Sequence, residues 1–204
     1  LALTADGQVF AWGRNTFGQL GNGRFGIEEK EPSPVRVAGL ADVVAIAAGW
    51  DHSLALTRSG TVYAWGSRSH GQLGDGVRET GRPIATPQPV PVLQDVVAIA
   101  AGGQHSLALR KDGTLFAWGS NWNGQLGNGR LKAGAHCSVP QPVLGPDGKA
   151  ALSEVTAIAA GGDHYLALTG EGGVVAWGDS AAGLNSPPAD LTHAIAIACG
   201  KSDT

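Results

Sequence analysis

Three stretches of this chain nearly coincide: IAAGWDHSLALTRSGTVYAWG from Ile46 to Gly66, IAAGGQHSLALRKDGTLFAWG from Ile99 to Gly119, and IAAGGDHYLALTGEGGVVAWG from Ile158 to Gly178. The opening LALTADGQVFAWG is the second half of the same unit. Trp-Gly pairs begin at Trp12, Trp65, Trp118 and Trp177, so they are spaced by 53, 53 and 59 residues. A Gly-Gln-Leu-Gly tetrad follows the first three, at Gly18–Gly21, Gly71–Gly74 and Gly124–Gly127, and is worn down to AAGL at Ala181–Leu184 in the fourth. A Pro-containing spacer and an apolar run ending in Ala-Gly or Cys-Gly complete each unit. Periodicity of this length constrains the chain to a repeat architecture, in which like units stack on one another.

Each unit reads as strands. LALT and TVYAWG are short β-rich runs split by turns at Ala5-Asp6-Gly7, Ser59-Gly60, Asp112-Gly113 or Glu171-Gly172. VVAIAAG is a further apolar run, bounded by Gly. Pro32, Pro34, Pro87, Pro89, Pro140 and Pro142 exclude helix and suit loops or edge strands. No stretch of about 12 residues keeps a 3.6-residue apolar period without Gly or Pro interrupting it. The runs are apolar on both faces, with small residues (Ala45, Ala47, Ala48) among large ones (Val43, Ile46), as sheets stacked face to face require. The expectation is an all-β radial repeat, a β-propeller of about four blades. It forms one array over residues 1–204, with units near 1–49, 50–102, 103–161 and 162–204.

The pattern HSLALTxxGxVxAWGxNxxGQLGxG, a Pro-containing spacer and then VxAIAAG resembles the regulator of chromosome condensation repeat, and the resemblance covers nearly the whole chain. It implies a β-propeller, which in that family usually has seven blades of about 50 residues, within the general range of four to eight. Ala198-Cys199-Gly200 aligns with Ala47-Ala48-Gly49, which puts Asp203 at the His52 place and Thr204 at the Ser53 place, where Leu1–Thr4 continues. The chain thus reads as four repeats at one phase. Three arrangements follow: part of a longer propeller whose missing blades complete the ring, a ring shared as a homo-oligomer, or a closed ring of four.

Composition removes several classes. Gly is 32 of 204 residues, about twice the usual 7%. Fourteen basic against 17 acidic side chains give a net charge of −3, which argues against nucleic-acid binding through bulk positive charge. No apolar run approaches the roughly 18 residues of a membrane helix. Cys137 and Cys199 make neither a disulfide framework nor a zinc site. An Ala-rich, Lys-poor composition is in keeping with a bacterial source, and nothing fixes the compartment. GNGRFG at Gly21–Gly26 has the letters of a dinucleotide fingerprint, but Ile-Glu-Glu-Lys-Glu-Pro follows it and the sister copies GDGVRE and GNGRLK lack the third Gly. Its glycines read as positive-φ turn residues, and no cofactor is expected. His52, His105 and His164 hold equivalent places and read as buried structural residues bonding the backbone of their own blade, not as metal ligands. Asp51-His52-Ser53 is a triad in letters only, because neighbouring strand residues face opposite ways. No catalytic residues are assigned.

The site candidates come from where the copies differ. Trp12, Trp65, Trp118 and Trp177 recur with the repeat and are expected to pack. Trp50 and Trp122 break the pattern, and large aromatics on variable turns suit binding anchors. One set of turns, after the apolar run, offers Asp51, Gln104 and Asp163, with Lys201-Ser202 at the fourth place. The other, after Trp-Gly, offers Arg14, Arg68, Asn121 and Asp179. The spacers Arg24–Glu31, Arg78–Arg82 and Arg130–His136 are second candidates. In the resembling family such turns form much of a protein-contacting face. The resemblance implies a scaffold that presents these turns to a protein partner, with two alternatives: guanine-nucleotide exchange on a small GTPase, or inhibition of an enzyme.

Overall fold

The computed structural model describes residues 1–77, 81–129, 136–145, 148–179 and 191–200. The worn tetrad Ala181–Leu184, the spacer residues 78–80 and 130–135, and the closing positions Lys201–Thr204 lie outside the described residues. Among the described residues there are fourteen strands and no helix, in four antiparallel sheets whose strands follow chain order. The first sheet holds β1 (Ala2–Leu3), β2 (Val9–Arg14) and β3 (Lys30–Arg36). The second holds β4 (Val43–Ala48), β5 (His52–Thr57), β6 (Val62–Gly66) and β7 (Ile84–Pro89). The third holds β8 (Val96–Ala101), β9 (His105–Arg110), β10 (Leu115–Gly119) and β11 (Cys137–Pro142). The fourth holds β12 (Val155–Ala160), β13 (His164–Thr169) and β14 (Val174–Gly178). The expected all-β blades are therefore present, and the Pro residues sit on the outer strands β3, β7 and β11, where a missing N–H is tolerated.

The innermost strands β4, β8 and β12 touch one another in turn, so the sheets fan from a shared hub. The sequence units near 1–49, 50–102 and 103–161 end just after these inner strands. One unit thus supplies three strands of its own blade and the innermost strand of the next.

The core lies in the seams between blades. The first seam joins Val9, Ala11, Leu20 and Val37 to Val43, Ala55 and Trp65. The second joins Leu54, Leu56, Val62, Leu73 and Val90 to Val96, Ala108 and Trp118. The third joins Leu107, Leu109, Leu115, Leu126 and Val143 to Val155, Tyr165 and Ala167. Along β5, Ala55 faces the first seam while Leu54 and Leu56 face the second. This alternation of small and large residues lets the sheets interdigitate, and it explains runs that are apolar on both faces.

Each seam is centred on a tryptophan and a glycine. The Trp65 and Trp118 rings are fully buried, and their Nε1–H groups donate to the carbonyls of Gln19 and Gln72 in the preceding blade, each at 2.9 Å. A Cβ on Gly74 would come within 2.9 Å of both Trp118 Nε1 and Val90 Cγ1, and its φ of +70° already disfavours other residues. Gly21 stands in the same relation to Trp65, and Gly127 to Trp177. Gly21 and Gly23 of the GNGRFG stretch, at φ of +69° and +83°, are turn residues with no helix after them.

Replacing Gly74 by Ala adds a clash in a packed seam to an unfavourable φ, and should cost about 3 kcal/mol. Gly23 shares the positive φ but has nothing within 4 Å of the added Cβ, so Gly23→Ala should cost about 1 kcal/mol. Urea unfolding of the two variants checks the difference.

Candidate functional site

The two sets of variable turns meet at one end of the molecule. The Ser67, Ser120 and Asp179 N–H groups, just past Trp-Gly, donate to the carbonyls of Asp51, Gln104 and Asp163 at 2.7, 2.9 and 2.8 Å. Neighbouring blades are tied in the same plane: Trp50 N–H donates to the Gly103 carbonyl (3.1 Å) and Gly103 N–H to the Gly162 carbonyl (2.8 Å). The turns ring a cavity of about 200 Å³ at the hub, lined by Ala48–Trp50, Ala101–Gly103, Ala160–Gly162, Cys199 and Gly200. Small residues are obligatory there. A Cβ on Gly49, Gly102 or Gly161 would fall 2.3, 2.0 and 2.3 Å from the imidazoles of His52, His105 and His164.

Most of the expected residues reach this face. Trp50 is 49% exposed, and one side of its indole lies on Gly103, where a Cβ would come within 2.9 Å of Cδ2 and Cε2. Beside it, Arg14 of the first blade pairs with Asp51 of the second at 2.8 Å, with Arg14 mostly in solvent. Gln104 is half-buried. Asp163 accepts from Gln125 Nε2 at 3.1 Å. Its carboxyl pKa is raised, chiefly by burial and further by the Asp179 charge, against the lowering effects of the Gln125 bond and His164. Trp122 is 53% exposed and meets the edge of His136 at 5.6 Å, and His136 meets His70 at 5.2 Å. Burial and the neighbouring His136 lower the His70 pKa.

Two expectations need correction. Asn121 is 1% exposed, and its Oδ1 accepts from Leu126 N–H, so it shapes the tetrad loop from inside. Arg68 is largely covered and is paired with Asp75 of its own loop. Trp12 is 45% exposed in the described residues, and the glycines that cover its counterparts Trp65 and Trp118 each belong to the blade before.

The histidines are buried, and His52 bonds across blades instead of within one. His52 Nε2 lies 2.9 Å from Ser106 Oγ of the third blade, and Ser106 Oγ donates to the Gln72 carbonyl of the second. Ser53 Oγ turns the other way, to the Gln19 carbonyl of the first blade at 2.8 Å. The neighbours His52 and Ser53 thus serve opposite seams and form no nucleophile–base pair with each other. Among the described residues no group of three or more His, Cys, Asp or Glu could hold a metal ion, and Cys137 and Cys199 form no disulfide. Sequence reasoning passed over Gln19, Gln72 and Gln125, whose carbonyls and amides join the blades, although their fixed place in the tetrad was a usable signal. It also passed over His70, which follows no period, while His136 ends one of the spacers named as second candidates.

With this geometry in view, comparison with known proteins adds relatives. A family model described as RCC1-like domain matches residues 1–202. The chain is 36% identical to the human E3 ubiquitin-protein ligase HERC2 over its whole length, which is 4% of that protein. It is similar in structure to Prp20p from Saccharomyces cerevisiae, with a TM-score of 0.76 and 27% identity over 98% of this chain and 51% of that one. That protein's structure was described together with its binding to Gsp1p and histones. Human WBSCR16 gives a TM-score of 0.76 and 27% identity over 98% of this chain and 52% of that one. The chain therefore spans a small fraction of the ligase and about half of each solved relative.

Burial lowers the pKa of His52 to about 4 and of His105 to about 3, the latter helped by the charges of His52 and His164. Unfolding returns both to about 6.5, so the unfolded chain binds more protons below that pH. Stability should be full above pH 6.5 and fall by a few kcal/mol towards pH 4. Urea midpoints measured from pH 8 to pH 4 check this, and His105→Leu should flatten the slope.

Proposed function

The chain belongs to the RCC1-like domain family, and from that premise we propose that it is a non-catalytic platform that docks a protein partner on the face carrying Trp50. The observation that carries this reading is the seating of Trp50. One side of the indole is fixed on the Gly103 backbone and the other is open to solvent. A large aromatic held rigid before binding loses little entropy when a partner covers it, which is what makes such residues binding anchors. The Arg14–Asp51 pair, Gln104, Asp163 and Asp179 surround it with charges of both signs, which suit partner choice more than raw affinity. Trp122, ordered by His136, is a second anchor on the same blades.

Similarity to Prp20p favours one finer alternative: that the partner is a small GTPase and docking accelerates its nucleotide exchange. Inhibition of an enzyme partner would be the same docking with a different partner. Trp50→Ala and Trp122→Ala should each weaken capture of the partner by at least about tenfold, with melting temperatures unchanged. Pull-down with mass spectrometry identifies the partner. Equal capture by both variants, or unfolding of either, would remove the anchor assignment. Release of labelled nucleotide from a small GTPase separates exchange from simple docking.

A further inference from the structure

We propose that the outer edges of the second and third blades are closed to strand pairing by prolines set at their outward positions, so that two copies of the chain cannot join there edge to edge. What decides this is the direction in which each backbone group faces.

In an antiparallel pair, successive residues turn their N–H and C=O alternately towards the partner strand and away from it. Val90 N–H donates to the Val62 carbonyl, and Gln88 lies opposite Ala64, so the even-numbered residues here face β6. Pro89, opposite Tyr63, faces outward. Ala85 does so too, and its carbonyl accepts from Gly23 N–H of the first blade at 2.9 Å. Pro87 stands between them on the same side. The third blade repeats the arrangement. Val143 N–H donates to the Leu115 carbonyl and Gln141 lies opposite Ala117, which turns Pro140 and Pro142 outward. The outward Ser138 carbonyl accepts from Gly76 N–H of the second blade at 2.8 Å. In the first blade Pro34 keeps the place of Pro87 and Pro140, while Arg36 stands where Pro89 and Pro142 do.

Two strand edges join through alternating donors and acceptors. On β7 and β11 the outward row keeps its carbonyls, but proline has removed its donors at Pro87, Pro89, Pro140 and Pro142. The outward residue left on each strand is covered by the tetrad loop of the blade before. A Cβ on Gly18 would come within 2.8 Å of Ala85 Cα, and one on Gly71 within 2.8 Å of Ser138 Cα. Space is not what is missing. A groove of about 530 Å³ borders β7, lined in part by Leu73, Val77, Ile84, Thr86, Gln88 and Pro89. A second copy laid along it would leave its own carbonyls facing prolines, buried and unmet. Both blades are packed by a seam on each side, so the outer edge is where each could gain a further strand.

Sedimentation of the full chain over a range of concentrations tests this. Pro87→Thr combined with Pro89→Thr restores two outward donors on a β-prone residue. Each donor strengthens pairing by roughly two- to tenfold, and both copies contribute. Self-association should therefore be at least about tenfold tighter than that of the unaltered chain. Hydrogen exchange at the amides introduced at positions 87 and 89 should slow as concentration rises. Gln88→Thr alters a residue whose backbone already pairs with β6, and should leave self-association within twofold. The proposal is overturned if the doubly changed chain associates no more tightly than the unaltered one. It is equally overturned if the introduced amides exchange at one rate at every concentration, or if Gln88→Thr has the same effect. Should the double change unfold the chain, Pro142→Thr alone decides by the same two readings, since Arg36 shows that a blade accepts an N–H at that place.

Discussion

The indole of one blade laid on the tetrad glycine of the blade before it is the contact on which the rest of this structure depends. It buries the largest side chain of the repeat, gives its N–H a backbone carbonyl, and does both across the boundary between units. A single sheet of three or four short strands would leave two apolar faces in water. Each repeat is therefore stable only against a neighbour, and the stability of the array resides in its seams. The sequence unit follows the same logic by lending its last strand to the next sheet, so that the covalent chain as well as the packing crosses every boundary.

Rigidity at the turns follows from that arrangement. Trp50, Gln104 and Asp163 follow the inner strands, of which β4 and β8 are fixed by seams on either side. The backbone bonds from Trp50 to Gly103 and from Gly103 to Gly162 then lock adjacent turns into one surface. Side chains on such a surface start close to the geometry in which a partner meets them, and little ordering remains to be done on binding. The glycines at the hub have a double duty: they leave room for the imidazoles beneath and for the indole above.

Much of this was legible because the repeat prints the same solution several times. Trp65 and Trp118, the tetrad glycines, the turn glycines and the small-large alternation of Leu54-Ala55-Leu56 all follow from a stacking rule that composition and period reveal. The fanned sheets followed from those residues together with a family pattern that covers nearly the whole chain. What was not legible depends on contacts between different copies. Nothing in the letters His-Ser says that the imidazole bonds the next blade and the hydroxyl the previous one. Asn121 sits at a variable turn and looks available, yet its amide is spent on the loop's own backbone. Trp12 carries the repeat signature, but its burial depends on a glycine from another blade. His70, His136 and Trp122 are scattered in sequence, and only the fold brings them together.

The two kinds of divergence between copies have different physical consequences. At a turn, exchanging Gly103 for Trp50 adds an exposed surface and disturbs nothing behind it, because the turn backbone is held by its own bonds. In a seam, exchanging Ser106 for Tyr165 alters two partners at once, since the serine hydroxyl bonds an imidazole and a carbonyl that also accepts from an indole. Such networks are cooperative, and a replacement that satisfies one member leaves others unmet. Variation in turns is thus free to alter the exposed surface, while variation in seams alters how neighbouring blades are bonded. A repeat protein of this kind can vary its exposed turns and its seams through separate positions, and this chain varies each at residues its period alone would treat as equivalent.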